Sequence, residues 1–224
     1  PGSGYAVGPS RANPYTGELY DADIRISADF VRGFYKTHTD FVKPLITPAT
    51  LDFDSDEHKE DFSSDPCNYG DHLQEEMATA WDLMKISKTI NGTKKELEKY
   101  IHDGLVDLVL HEVGHTLGLR HNFKASSIYS IEQLSDVNFT NKHGISGSVM
   151  DYQPINIFDG QNFFQTKPGI YDFWAIEYAY KQSNGSAFSE EKLLNKIASK
   201  STDPLLRYGT DEDTYGLSTR GIDP

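Results

Sequence analysis

The sequence predicts an α+β domain, on three observations. Leu19 to Ser27 alternates, with Tyr20, Ala22, Ile24 and Ile26 on one face and Asp21, Asp23 and Arg25 on the other, which is the period of a half-buried strand. Leu73–Ile90, Lys94–Leu117 and Ser189–Lys200 instead carry apolar residues at helical spacing. The Lys94–Leu117 stretch has two apolar stripes, one through Ile101, Leu105 and Leu108 and another through Val106, Val109, Val113 and Leu117, so it should run through the domain centre. A chain of 224 residues suits a single domain, 1–224, long enough to bury a sizeable core.

Each element has its own local reason. Residues 1 to 17 are rich in Gly, Pro, Ser and Asn and read as a lead-in, with a turn at Asn13-Pro14-Tyr15-Thr16-Gly17 before the strand. Phe30 to Tyr35 begins a helix, and Pro44 and Pro48 break the next segment into loop. Asp52-Phe53-Asp54-Ser55-Asp56-Glu57 has the look of a calcium loop, but Glu57 stands where the sharp turn wants glycine and Ser63 where the bidentate glutamate belongs. A solvated acidic loop is the better reading, with calcium weakly supported. Met77, Ala80, Trp81 and Met84 mark the core side of the next helix, ended by Asn91-Gly92. Thr93 and Glu96 then form a capping box that starts the central helix, and His102-Asp103-Gly104 is a place where it could kink. Between His121 and Val149 the chain is mainly irregular, with a short helix at Ile131–Leu134. Phe158, Phe163 and Phe164 form either a pocket wall or core.

The chemistry is concentrated in His111-Glu112-Val113-Gly114-His115-Thr116-Leu117-Gly118-Leu119-Arg120-His121, an H-E-x-x-H-x-x-G-x-x-H spacing. On a helix His111 and His115 lie one turn apart on the same face, and Glu112 points toward a water that completes a metal's coordination. Gly118 can end the helix in a left-handed residue, letting the chain turn and return His121 as third ligand. Three imidazoles and one water make an open, catalytic zinc site, with Glu112 as the base that takes the water's proton. His38, His58, His72 and His102 share no ligand spacing and read as surface residues, and His143 as a loop histidine.

This run resembles the metzincin signature, and Ser148-Val149-Met150-Asp151-Tyr152 is similar to the Met-turn that lies beneath the metal in that clan. Tyr171 to Tyr180 resembles the clan's closing helix, extended here to about Lys181. Taken together, HEVGHTLGLRHNF, SVMDY and YDFWAIEYAY look like the catalytic module, called met-zincin, of large and mostly bacterial zinc-dependent metalloproteases; the likeness covers roughly residues 10 to 215. It implies a zincin-like fold, with an upper part containing a sheet (incomplete here if upstream residues supply strands) and a lower part mainly helical or irregular, divided by the site helix. It implies one catalytic Zn2+ held by His111, His115 and His121, hydrolysis of peptide bonds in a protein or peptide substrate, Met150 as a structural floor, and Tyr152 as a second catalytic group that supports the tetrahedral intermediate. Asn122 departs from better-known branches, and no upstream cysteine-switch motif accounts for latency. Two other readings compete: a zinc-binding module without turnover in a larger cell-envelope protein, and a zinc amidohydrolase acting on a non-peptide amide.

Composition sets the remaining bounds. With 21 basic and 34 acidic residues the formal charge is −13, which repels phosphate backbones and makes nucleic acid a poor partner. A mean hydropathy of −0.56 and the lack of any apolar run near about 20 residues argue against membrane insertion. Cys67 is the only cysteine, so an internal disulfide is excluded; an inert buried thiol is the first expectation, pairing outside this segment the second. Asn91, Asn138 and Asn184 begin N-x-S/T triplets that mean nothing without a glycosylating host. The absence of an initiator methionine suggests a piece of a longer chain with further domains, and the resemblance implies a secreted, periplasmic or cell-surface setting.

Overall fold

A computed structural model of the chain describes residues 6–8, 10–28, 30–32, 67, 69–158, 160–183 and 185–214. The acidic segment Asp52–Ser63, His38, His58 and the end of the Phe30–Tyr35 helix lie outside the described residues. The expected strand at Leu19–Ser27 is divided. Its first part, β3 (Leu19–Ala22), pairs antiparallel with β2 (Ser10–Ala12), and its second, β4 (Arg25–Ile26), pairs antiparallel with β1 (Ala6–Val7). The turn between β2 and β3 is the one expected: Gly17 N–H donates to Asn13 at 2.8 Å, Asn13 N–H to Glu18 at 2.8 Å, and Gly17 takes φ +74°. Among the described residues the sheets have two strands each. Tyr20 is exposed, so the alternation in β3 does not mark a half-buried face; the side-chain period came through but the burial did not.

Two long helices carry the core. Helix α1 (Tyr69–Ile86) buries Tyr69, Leu73, Met77, Ala80, Trp81 and Met84, a spacing of three and four that lines one face. It starts and ends four residues earlier than its periodicity suggested. Its stop is Lys88, which takes φ +62° while Thr89 N–H donates back to Met84, so the turn is made before Asn91-Gly92 is reached. Helix α2 (Lys94–Thr116) starts at the Thr93–Glu96 capping box, with Thr93 N–H donating to Glu96 at 2.7 Å.

Helix α2 runs unbroken through Gly104. A Cβ there would stand 2.9 Å from the sulfur of Met77, so the glycine lets α1 and α2 approach without displacing that side chain. Trp81 and Tyr100 meet across that contact at 5.1 Å, and Phe164 packs on Tyr100 at 4.8 Å. Phe163 and Phe164 are therefore core and only Phe158 is exposed, which removes the aromatic pocket wall. Burial of α2 is one-sided: Ile101 and Leu108 are buried, whereas Val109 is exposed and Val106, Val113 and Leu117 are half-covered.

The stretch after His121 is more regular than expected. A 3-10 turn at Ala125–Ile128 leads to α3 (Ile131–Leu134), capped by Ser130 and Gln133, and then to α4 (Val137–His143), capped by Asp136. His143 ends α4, exposed and ring to ring with Phe139 at 4.6 Å. The expected aromatic helix is α5 (Ile170–Tyr180), and α6 (Ala187–Ala198) lies against it, Trp174 Nε1–H donating to Ile197 at 2.8 Å. Among the described residues no helix is long and apolar enough to cross a membrane.

Candidate metal centre

The last turn of α2 delivers two of the expected ligands, and the way the helix stops delivers the third. His111 and His115 face each other one turn apart, ring centroids 4.8 Å. Gly118 N–H donates to His115 at 2.9 Å and Leu119 N–H to Gly114 at 3.0 Å, the pair of bonds that closes a helix around a left-handed residue. That residue is Gly118, φ +85°, as the spacing required. The reversal brings His121 back so that its Nε2 lies 3.1 Å from Nε2 of His115.

Each imidazole is held from behind by an acceptor. Nδ1 of His111 donates to the Val149 carbonyl at 2.7 Å, Nδ1 of His115 to the Leu119 carbonyl at 3.1 Å, and Nδ1 of His121 to the Asp211 carboxylate at 2.8 Å. A carbonyl or carboxylate can only accept, so in all three rings the proton sits on Nδ1 and the Nε2 lone pair is free. Two lone pairs facing each other at 3.1 Å repel unless a cation lies between them. Burial, then the neighbouring imidazoles, pushes the pKa of His111 well below its usual value, and burial with His121 lowers that of His115, which keeps both rings neutral. This donor set fits a zinc ion: three neutral imidazole nitrogens, each with its outer nitrogen anchored.

Asp211, which belongs to no motif in the sequence, is a partner of His121. Burial works against its ionisation, yet the hydrogen bond from His121 holds its carboxyl below the usual range. It heads α7 (Asp211–Thr214), fixed to the site by Arg120, which forks onto Glu212 at 2.7 and 2.8 Å. No spacing rule links positions 90 residues apart, so the signal was not available in the sequence. Replacing Asp211 with alanine is expected to weaken zinc binding about 10- to 100-fold, the usual loss when the outer anchor of a ligand is removed; competition with a chromogenic chelator measures it.

Glu112 is 1% exposed, and neither carboxylate oxygen has a hydrogen-bond partner among the described residues. Burial pushes its pKa up to about 7, with the adjacent Cys67 thiol working in the opposite direction. Tyr152 brings its hydroxyl to 3.3 Å from Nε2 of His121 and 3.3 Å from Sγ of Cys67. Tyr69, at the start of α1, stacks on both Tyr152 and His111, with centroids 4.9 and 4.6 Å away. Below it a buried network runs from Tyr69 to Gln153 and Asp107, where Gln153 Nε2–H donates to Tyr69 at 3.0 Å and to Asp107 at 2.9 Å.

Cys67, expected as an inert buried thiol, is half-buried and has neighbours the sequence did not indicate: Sγ lies 3.4 Å from Nε2 of His111, and its ligand atom and those of the three histidines all fall within 4.8 Å of one another. Burial pushes the thiol up to about 11, partly offset by Tyr152 and by the Tyr69 backbone N–H. A cysteine 44 residues upstream of the motif carries no spacing signature, so only the folded chain reveals it.

Met150 is fully buried, and it accounts for a glycine that the motif left unexplained. A Cβ at Gly114 would lie 2.1 Å from the Met150 sulfur. Gly114→Ala is therefore expected to cost about 1–3 kcal/mol through overpacking, read as a lower urea midpoint. The turn itself is pinned by Asp172 of α5, which accepts from Ser148 Oγ at 2.5 Å, Val149 N–H at 2.9 Å and Gly169 N–H at 2.7 Å. Asn122, the departure after the third histidine, is fully buried; its N–H donates to Met150 at 2.8 Å and its side chain bonds Arg207 and Gly209. It ties the segment that carries His121 to both the Met150 turn and the chain leading to Asp211.

A cleft of about 210 Å³ opens beside the histidines, lined by Tyr69, His72, Leu73, Glu76, Phe123, Tyr152, Gln153, Asp211 and Thr214. His72 is thus a surface residue, as expected, but one that faces this cleft. Helix, glycine turn, third histidine and methionine floor together define a metzincin-type zinc metallopeptidase domain. The Met-zincin family profile matches residues 93–224, and the chain belongs to that family. Neither a curated protein nor a solved structure matches it.

Proposed function

We propose that the chain is a zinc-dependent endopeptidase in which His111, His115 and His121 hold one catalytic ion. The observation that carries this reading is the convergence of three anchored Nε2 lone pairs beside a buried carboxylate without partners. Zinc, when bound there, supplies Lewis acidity, polarising a carbonyl and making water nucleophilic near neutral pH. Glu112 takes the proton of the attacking water and returns it to the leaving amine, which a buried carboxyl with pKa near 7 can do in both directions. Tyr152 donates its hydroxyl hydrogen to the oxygen that gains charge as the carbonyl becomes tetrahedral. The Tyr69 stack holds the Tyr152 ring at the edge of the cleft.

A second reading, a zinc module without turnover, draws on one observation: the Cys67 sulfur close to the position that water would occupy. A closed four-ligand site is the mark of a structural zinc. Against it stands Glu112, a buried carboxylate that a structural site does not need. The test is incubation of the zinc-loaded chain with a mixture of unstructured peptides, analysed by mass spectrometry. Cleavage should disappear on chelation and return with one equivalent of zinc. Cleavage that survives chelation removes zinc from the reaction, and intact peptides beside a fully loaded site favour the module without turnover.

A further inference from the structure

Cys67 reaches the histidines from the residue two before the start of α1. Helix α1 is anchored there by Tyr69, which is 2% exposed and stacked on His111. Two of the distances match a coordination shell, and all four ligand atoms lie within 4.8 Å of one another. Zinc at about 2.3 Å from sulfur and about 2.0–2.1 Å from nitrogen in a tetrahedron places N and N about 3.3 Å apart and S and N about 3.6 Å apart. The structure has 3.1 Å between Nε2 of His115 and of His121, and 3.4 Å between Sγ of Cys67 and Nε2 of His111. A second feature points into the same space: the Glu112 carboxylate, buried and without a partner among the described residues, lies against the thiol.

We propose that Cys67 is a fourth protein ligand of the metal in the resting protein, its thiolate filling the position that water and substrate need. This rests on the metal-centre reading above. In forming the bond the S–H bond breaks, its proton leaves to solvent water, and a sulfur lone pair closes on the cation; no oxidant or reductant takes part. Opening the site is the reverse, a water proton returning to the sulfur. The resting chain is latent until the sulfur leaves.

The test is the spectrum of the chain loaded with one equivalent of Co2+. A sulfur-to-cobalt charge-transfer band in the near ultraviolet is expected in the wild type, and its loss in Cys67→Ser, with the visible cobalt bands of the histidine site retained. In parallel, thiol labelling of the wild type is expected to be at least about tenfold faster after chelation, because a metal-bound thiolate is withheld from the reagent. The labelling and the wild-type spectrum decide the matter should Cys67→Ser fail to fold. Bound cobalt without the band, a band that persists in Cys67→Ser, or labelling at the same rate with and without metal overturns the assignment while leaving the three-histidine centre in place. A wild-type chain that takes up no cobalt overturns both.

Discussion

Glu112→Gln is expected to slow peptide hydrolysis about 10²- to 10⁴-fold while leaving zinc stoichiometry unchanged. Glutamine matches glutamate in shape and keeps α2 intact, but it cannot accept a proton at neutral pH. The site holds no obvious substitute: among the described residues the neighbouring ligand atoms are those of the three histidines and Cys67, and the imidazoles are anchored by their Nδ1 atoms. The loss should appear in kcat rather than KM, because Glu112 acts on the reacting water rather than on the bound peptide. Cleavage of a fluorogenic peptide found in the library experiment, at matched zinc occupancy, measures it. A variant within about threefold of the wild type, where a general base is worth far more, would remove Glu112 from its role.

The second large effect concerns stability. Asp172→Ala is expected to cost about 3 kcal/mol or more, since it leaves buried donors on Ser148, Val149 and Gly169 without an acceptor. The cost is concentrated because these donors belong to one structure. Ser148 Oγ in turn accepts from Met150 N–H at 3.0 Å, so Asp172 holds the turn whose Val149 carbonyl orients His111. Gly169 packs so closely on this segment that an added Cβ would lie 2.1 Å from the Gly147 backbone. Urea unfolding at neutral pH reads the change, and zinc affinity should fall with it. Asp172→Asn, which keeps one acceptor, should fall between the two. A loss under about 1 kcal/mol would mean that the donors find other partners, at odds with their burial.

How much of this was legible beforehand depends on the range of each signal. The left-handed Gly118 and the capping box at Thr93 are local patterns that stand in the structure as read, and the motif's spacing does bring its three histidines together. The four-residue offset of α1 is a competition between punctuation marks: Asn91-Gly92 is the louder stop, but Lys88 takes the left-handed position first. The divided strand shows that alternation states which residues share a face without stating what covers that face. Gly104 and Gly114 were visible only as breaks in helical pattern, and the partners that require them, Met77 and Met150, come from elsewhere in the chain.

The site residues that escaped notice are those joined to it only by folding. Asp211 lies 90 residues after His121, and Cys67 lies 44 before His111. Neither has a motif, and one acidic residue among 34 cannot be singled out by composition. Asp172 is intermediate. It sits at the third position of α5, where an acid often caps a helix, but its bonds to the Met150 turn span 23 and 24 residues.

The central claim is that the Nε2 atoms of His111, His115 and His121 meet on one cation, and zinc-edge X-ray absorption on the reconstituted chain tests it most directly. The account predicts one bound zinc with three nitrogen neighbours at about 2.0–2.1 Å and a first shell that changes when His121 is replaced by alanine. Zinc surrounded mainly by oxygen, or a spectrum indifferent to that replacement, would contradict it.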